Sequence, residues 1–528
     1  MLVLLTMVVI FGYLIVRTGL FIIAPLLWQE KIVAFLLLCA ECFILVHSFG
    51  YFLNIYHVAT RAAKPVPAAA PPLTTYPPVA IIVSSFKEPL RVVEDTLICF
   101  YNLTYPNKHL CFLDDTRYDT AWDTEENMAA YRRDIDDLCQ RLEINLFRRK
   151  WHGAKAGMIN DFLQFIDGKQ VEGFQFHHFA GDTRKEKEKY IIVFDADMNP
   201  IPDFVEPLVA MMENNQKLAF IQTPQYYSNF EFNRVARASG LQQAVFYEYI
   251  CEGKSMQDAM FCCGTNVIFR REALMDVGGF DESSVTEDFA TSLKFHARNW
   301  SSAYVNRVCA FGMGPEDLGG YFKQQFRWAL GTVGLFRTIL GQFLRNPTQL
   351  TAAKWWEYFL SGTHYFVGWV FLVMVVCPVL YLFLEVPSFF ARPEIYFLVF
   401  VPYIILTLTM FIGTMSQRKY RLKDLFQGLL LNAISFPVYM KASTLAMFGF
   451  RGTFGITPKG KSNALPLSGL WPQLFIAIAC LGAVVWGLHR LYYERQPAAA
   501  IVVNSFWCLY HFVILSTIIY FNHPKEGE

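Results

Sequence analysis

Tyr190-Ile-Ile-Val-Phe-Asp-Ala-Asp-Met-Asn-Pro200 is the stretch whose reading decides the fold. Ile191 to Phe194 is a short apolar run rich in β-branched residues, the pattern of a strand buried on both faces of a parallel sheet. It ends in two carboxylates, Asp195 and Asp197, and Pro200 and Pro202 stop any continuation. Ligands of open α/β sheets collect at the carboxyl ends of the strands. Two acids one residue apart at such an end can hold a hard divalent cation. Mg²⁺ typically keeps one or two carboxylates and takes further oxygens from nucleotide phosphates. The bland alternative is a strand-end Asp that only caps a turn, so the flanking sequence has to decide.

Outward from this stretch, short apolar runs alternate with longer polar segments from Val79 to roughly Ala310. Strands are expected at Val79–Ser84, Leu110–Leu113, Ile191–Phe194 and Ala219–Gln222, which argues an α/β domain with a mainly parallel sheet. Leu113-Asp114-Asp115 is a second strand ending in acids, able to accept hydrogen bonds from a nucleobase or ribose. His152-Gly-Ala-Lys-Ala-Gly157 sets Lys155 in a small-residue turn, where backbone can approach a phosphate closely, although most such turns are only turns. Asp182–Lys189 reads as a solvated loop. Thr286-Glu287-Asp288 follows the flexible Gly278-Gly279-Phe280. A carboxylate there could act as general base, and Thr286 as a helix cap is a compatible reading. Gln324-Gln325-Phe326-Arg327-Trp328 joins two amides, a guanidinium and an indole. Such a set suits a sugar or a leaving diphosphate, and equally an interfacial anchor.

The chain of 528 residues is 54% hydrophobic and 17% charged, the balance of a membrane protein with a sizeable soluble part. A net charge of +1 gives no global field for nucleic acid. Cys39 and Cys42 form a C-x-x-C inside an apolar helix, which reads as packing rather than a zinc or redox site, and the cysteines imply no disulfide framework. Leu2–Trp28 and Ile32–Tyr56 each exceed the ~20 residues that span a bilayer, with Trp28–Lys31 expected as the tight turn between them. The first lacks a basic leader and cleavage site and reads as a retained helix. Glu41 and His47 fall inside the second span, where ionisable groups face a cavity or a partner. Lys64–Pro78 is an extended linker. Gly319–Phe343 is an amphipathic interface helix. Trp355–Leu384, Ile395–Met415, Leu470–Leu488 and Ala500–Phe521 complete about six spans. The basic segment Ser416–Lys461 belongs in the cytoplasm, and counting spans places the α/β domain and both termini there too. Arg490 and Arg495, in an external loop, run against that assignment.

The motifs, in their order, resemble a processive membrane-embedded family 2 glycosyltransferase, the group of cellulose, curdlan, chitin and hyaluronan synthases. Asp114-Asp115, Lys155-Ala-Gly157, Asp195-Ala-Asp197, Thr286-Glu-Asp288 and Gln324-Gln-x-Arg-Trp328 resemble the family's successive signatures. Gln222-Thr-Pro-Gln225 and Phe261-Cys-Cys-Gly-Thr265 resemble two further segments, and Phe454-Gly-Ile-Thr-Pro-Lys459 resembles the gating loop of cellulose synthase. The resemblance implies an α/β GT-A-type domain inserted in a helical membrane domain of about six transmembrane helices plus interfacial helices. The expected boundaries are 1–58 for two spans, 59–78 for a linker, 79–318 for the GT-A domain and 319–350 for interface helices. A span pair at 351–415, an interface helix with gating loop at 416–467, and a last span pair at 468–528 follow.

By the same resemblance, Asp114 and Asp115 would contact the uridine end of a UDP-sugar, with Lys155 near the nucleotide. Asp195 and Asp197 would hold UDP and Mg²⁺ or Mn²⁺. Asp288, with Glu287 beside it in the catalytic group, would deprotonate the acceptor hydroxyl. Cys263, Gly264, Thr286 and Trp328 would meet the acceptor sugar. Gln324, Gln325 and Arg327 would bind diphosphate and acceptor, and Thr457 and Lys459 would close over UDP. The implied enzyme is an inverting UDP-sugar-dependent hexosyltransferase. It would extend the non-reducing end of a β-glycan from UDP-glucose and export the product across the plasma (bacterial inner) membrane. Aromatic residues from Trp355 to Trp369 would line the path or form an interfacial belt. Alternatives are an N-acetylglucosamine polymer of chitin or hyaluronan type, a single-sugar transferase to a lipid, and a transporter or receptor with a nucleotide-sensing domain. Accessory export subunits or a homo-oligomer stay open. Three departures from cellulose synthases are expected: fewer N-terminal spans, no PilZ-type cyclic di-GMP domain, and Cys262 where a second aromatic is usual.

Overall fold

The computed structural model describes residues 2–62, 72–180, 187–389, 393–450, 452, 463–494 and 498–523. Two long helices, α1 (Leu2–Ile23) and α2 (Trp28–Ala62), lead into the α/β domain. That domain runs β1 (Val79–Ser85), α3 (Leu90–Tyr101), β2 (Lys108–Asp114), α4 (Glu125–Arg141), β3 (Asn145–Arg148), α5 (Ala154–Ile166), β4 (Gln175–His177) and β5 (Tyr190–Asp195). It continues through β6 (Asn199–Pro200), α6 (Val205–Asn214), β7 (Leu218–Gln222), β8 (Tyr226–Tyr227), α7 (Arg234–Val245), a π-helical turn (Phe246–Ile250) and α8 (Cys251–Met256). It closes with β9 (Val267–Arg270), α9 (Arg271–Asp276), α10 (Glu287–Ala297), β10 (Ser301–Tyr304) and β11 (Ala310–Gly312).

The main sheet has the order β10-β7-β9-β5-β1-β2-β3-β4. Its pairings are parallel except for β9, antiparallel to both β5 and β7, and the edge strand β4. The main sheet is therefore mixed, with parallel pairings dominant. Alternate residues of β1 show why the strands are apolar on both faces. Val79, Ile81 and Val83 pack with Phe100 and Phe194 on one side. Ala80 and Ile82 pack with Met158, Phe162 and Phe269 on the other. Register aligns the carboxyl ends, with Ser85 opposite Asp114 on β2 and Ser84 opposite Asp195 on β5. Local chemistry starts the helices: Thr124 accepts from Asn127 N at 3.2 Å to cap α4, and Asp317 accepts from Gly320 N at 2.6 Å to cap the next long helix.

That helix, α11 (Leu318–Arg345), lies against α12 (Ala352–Thr363) and α16 (Phe436–Met447). The remaining membrane part comprises α13 (Val367–Leu384), α14 (Pro393–Gln417), α15 (Leu422–Ile434), α17 (Trp471–Tyr493) and α18 (Ala498–Phe521). Among the described residues, six helical stretches are long and apolar enough to cross a membrane.

One expectation needs correction here. Trp28–Lys31 is the first turn of α2 rather than a connection. The chain turns at residues 24–27, where Pro25 cannot continue α1 and Glu30 Oε2 accepts from Leu27 N at 2.7 Å. Trp355–Leu384 falls within one candidate span, Ala352–Leu384, inside which a 3-10 turn, His364–Phe366, separates α12 from α13. Thr363 Oγ1 takes the Phe359 carbonyl at 2.7 Å, and His47 Nε2 approaches the Leu360 carbonyl at 3.3 Å. Groups inserted into the helical ladder in this way bend or break it. His47 thus has its partner, and so does Glu41, which accepts from Tyr13 OH at 2.9 Å and pairs with Arg17 of α1.

Candidate active site

The site forms where β1, β2 and β5 end. Asp195 is the last residue of β5, its N–H bonded to Thr265 Oγ1 at 2.9 Å and its side chain 42% exposed. Lys155 reaches it from the first turn of α5. The backbone before that turn is tight: Gly153 has φ +58°, and a Cβ on Gly157 would stand 2.3 Å from His152 O. Only glycine fits such an approach. The Lys155 ammonium pairs with Asp195 and donates to Gly264 O at 2.7 Å. Burial alone would lower the Lys155 pKa, but the charges of Asp195, Glu287 and Asp288 outweigh it and hold the pKa above its usual value.

Asp288 and Glu287 occupy the first turn of α10. Thr286 stands at the cap position without capping. Its hydroxyl lies 3.2 Å from Ser284 Oγ, and its side chain packs on Gly331 of α11, where a Cβ would come within 2.4 Å of it. Asp288 Oδ1 accepts from Phe289 N at 2.8 Å. Its other oxygen would lie 3.0 Å from a Cβ on Gly264, a residue at φ +85°. Burial pushes the Asp288 carboxyl up to about 7, and the neighbouring Glu287 charge adds to the push against Phe289 N–H and Lys155. Burial raises Glu287 as well, with Lys155 opposing. A carboxylate held near neutrality and set beside an ammonium and a glycine is suited to proton abstraction.

The loop Phe261–Thr265 lies between these acids, held by amides whose purpose the sequence did not reveal. Gln222 donates to Thr265 O at 2.7 Å and accepts from Cys263 N at 2.8 Å. Gln225 donates to Cys263 O at 2.8 Å. Ser292 Oγ accepts from Cys262 N at 2.8 Å and donates to Asp288 O at 2.7 Å, which ties the loop to α10. From α11, Gln324 and Arg327 converge with Asp197 around the Tyr227 hydroxyl, and the Arg327 charge also bears on Glu287. Trp328 is half-buried on the same helix. Gln325 faces elsewhere: it is buried and accepts from Tyr439 OH of α16 at 3.2 Å, so it joins α11 to the membrane part.

At the end of β2 the two acids differ. Asp114 is buried and receives Arg148 Nε at 2.8 Å, Tyr118 OH at 3.0 Å and Thr116 N at 3.2 Å. Asp115 pairs with Arg149 at 3.2 Å, yet burial still lifts its carboxyl to about 7. The guanidinium of Arg117 lies over the Trp151 ring at 3.5 Å beside it. Arg148, Arg149 and Trp151 were missed in the sequence, although Arg148-Arg-Lys-Trp151 directly precedes the Lys155 turn and was a readable basic-aromatic signal. Thr457 and Lys459 lie outside the described residues.

Asp195 and Asp197 fit a divalent cation by donor chemistry. Asp195 is partly exposed and already attracts a cation, the Lys155 ammonium. Among the described residues no cluster of three or more metal-ligating side chains forms. A cation here would therefore draw further oxygens from water or a bound diphosphate, as Mg²⁺ commonly does.

Residues 80–278 match the model of glycosyl transferase family 2, and residues 190–412 match that of glycosyl transferase family group 2. The chain is 26% identical over 509 residues to the cellulose synthase catalytic subunit [UDP-forming] of Pseudomonas fluorescens (strain SBW25), covering 93% of this chain and 62% of that protein. It is 25% identical over 504 residues to cellulose synthase 2 of Novacetimonas hansenii, covering 92% of this chain and 29% of that protein. The chain thus spans less than two thirds of these relatives. A solved mannosyltransferase, PcManGT from Pyrobaculum calidifontis in complex with GDP-Man and Mn²⁺, aligns with a TM-score of 0.49 at 16% identity, over 78% of this chain and 99% of that one.

Proposed function

We infer that this chain, a cellulose synthase-like family 2 glycosyltransferase, extends a β-glycan by inverting transfer of glucose from UDP-glucose and passes the product across its own membrane. One observation carries the reading. The buried, near-neutral Asp288 stands beside Gly264 and Lys155, and Lys155 is paired with the strand-end Asp195. Read as a base and a cation ligand, Asp288 and Asp195 are neighbours through Lys155, which supports transfer from a nucleoside diphosphate donor.

Asp288 accepts the proton of an acceptor hydroxyl positioned against the Cys263–Gly264 backbone and the Trp328 indole. The hydroxyl oxygen bonds to the anomeric carbon as the bond from that carbon to the diphosphate oxygen breaks, and UDP leaves with the electron pair. A Mg²⁺ or Mn²⁺ ion held by Asp195 and Asp197 would supply charge neutralisation for the diphosphate. Arg327 and Lys155 add fixed positive charge on the same side. A single displacement with one base inverts configuration, so an α-linked donor gives a β-linked product. Glucose is favoured by the likeness of Phe454–Lys459 to the cellulose synthase gating loop. The catalytic domain and both termini are assigned to the cytoplasmic side of a plasma membrane, bacterial inner membrane included, on the basic content of Ser416–Lys461.

The test uses protein in lipid nanodiscs with Mg²⁺ or Mn²⁺ and a panel of labelled UDP-sugars. UDP release and high-molecular-weight product are followed together, and linkage-specific glucanases then digest the product. Polymer from UDP-glucose is the expected outcome. UDP release with only a singly glycosylated lipid would replace polymerisation by single transfer.

A further inference from the structure

A buried charge pair between the loop Phe261–Thr265 and the membrane part plays no role in the chemistry above. Lys254 of α8 and Glu357 of α12 are 2% and 1% exposed, and Nζ meets Oε2 at 2.6 Å. Lys254 also donates to Ser361 Oγ at 2.9 Å. The other Glu357 oxygen accepts from Asn54 Nδ2 of α2 and from Gln257 Nε2, each at 3.2 Å. Three separate segments therefore meet at one carboxylate. Gly253 allows the approach, since a Cβ there would lie 2.3 Å from Asn54 Oδ1.

On its other side the pair touches the acceptor loop. The Lys254 ammonium lies 5.4 Å from the centre of the Phe261 ring, and Phe261 opens that loop. Phe246, in the π-helical turn before α8, packs on the same ring at 5.8 Å. Single π-turns inside helices occur often at functional sites. A buried pair is weak evidence for stability, because desolvating both ions offsets most of their attraction, and its best-attested use is fixing register.

We propose that Lys254 and Glu357 are positioning residues for transfer. They fix Phe261, and through it Gly264 under Asp288, at one height above α12, so that the acceptor hydroxyl rather than water meets the donor. This rests on the glycan-synthase reading. When the loop shifts, water takes the acceptor's place: its oxygen bonds the anomeric carbon, its proton goes to Asp288, and UDP leaves as before. The observable is therefore the amount of UDP released per sugar incorporated.

The experiment compares wild-type full-length protein with Lys254→Met, Glu357→Gln and the double variant Lys254→Met/Glu357→Met in nanodiscs, on UDP-glucose with Mg²⁺. Each variant is expected to raise UDP released per sugar incorporated about tenfold, within the ~100-fold that a 1 Å misplacement can cost, with KM for UDP-glucose unchanged. The double variant leaves no unpaired buried charge and keeps the test open where single variants fail to fold. A polymerising wild type whose variants share its ratio, whatever their yield, overturns the assignment alone. A wild type that releases UDP without polymer overturns the synthase reading and this assignment with it.

Discussion

Asp114 at the end of β2 and Asp288 at the start of α10 are acids that the protein treats in opposite ways. Asp114 is met by three donors, with Arg148 in turn braced by Asp136 at 2.6 Å. Asp288 is met by one backbone N–H and shares its burial with another acid, Glu287. The first arrangement spends its charge inside the protein and makes a scaffold. The second keeps a charge incompletely compensated, which is the condition for a group that must gain and lose a proton near neutral pH.

The sharpest way to break that contrast is to neutralise each acid's essential partner or itself. Asp288→Asn is expected to lower transfer by about 10³-fold, inside the 10²–10⁴ range of general-base catalysis, while UDP affinity by calorimetry stays within about twofold of wild type. Robust polymer from this variant would remove Asp288 as the base. Arg148→Met should do the reverse. It strands a buried carboxylate, which costs about 3–5 kcal/mol, so the domain melts earlier and every activity falls with the folded fraction. An Arg148→Met protein of unchanged melting temperature would show that Asp114 does not depend on its pair.

The contrast can also be sharpened by pH. A base must be deprotonated to act, and burial raises Asp288 from the usual carboxylate range to about 7. The active fraction is therefore full above that value and falls about tenfold per unit below it. The profile of kcat/KM for the UDP-sugar, which reports groups of the free enzyme, is expected to show an acid limb near pH 7. Lys155 lowers the Asp288 pKa, so Lys155→Met should move the limb upward, and a limb unmoved by that change would disconnect the two residues.

Why the scaffold was harder to read than the chemistry follows from range. Ile191–Phe194 and Val79–Ser84 declared themselves because a run of β-branched residues ending in polar groups is a local signal. Val267–Arg270 and Asn145–Arg148 are four residues each, too short for a period, and their place depends on pairing with distant strands. The same holds inside the site. Strand-end acids at 114, 115, 195 and 197 were visible as types at positions. That Gln222 holds the loop at Thr265, or that Gln325 turns toward Tyr439, is set by contacts across 43 and 114 residues, and no local pattern encodes them. The broken helix at His364–Phe366 depends on His47, more than 300 residues away.

Asp115 lies between the two extremes and offers the smallest and most discriminating effect. It has a cationic partner in Arg149, as Asp114 has in Arg148, yet burial still holds its carboxyl at about 7, as it does for Asp288. At neutral pH such a group is already protonated about half the time, so Asp115→Asn removes only part of a charge and keeps the shape. KM for the UDP-sugar is expected to change by less than about tenfold, equivalent to ~1.4 kcal/mol, and the melting temperature should move little. Asp114→Asn, by contrast, takes the charge from under Arg148 and should cost more in stability than in KM. If Asp115→Asn instead abolishes donor binding and leaves stability intact, Asp115 is a direct ligand of the nucleotide. The line between scaffold and chemistry would then run through the middle of β2's own acid pair rather than between β2 and α10.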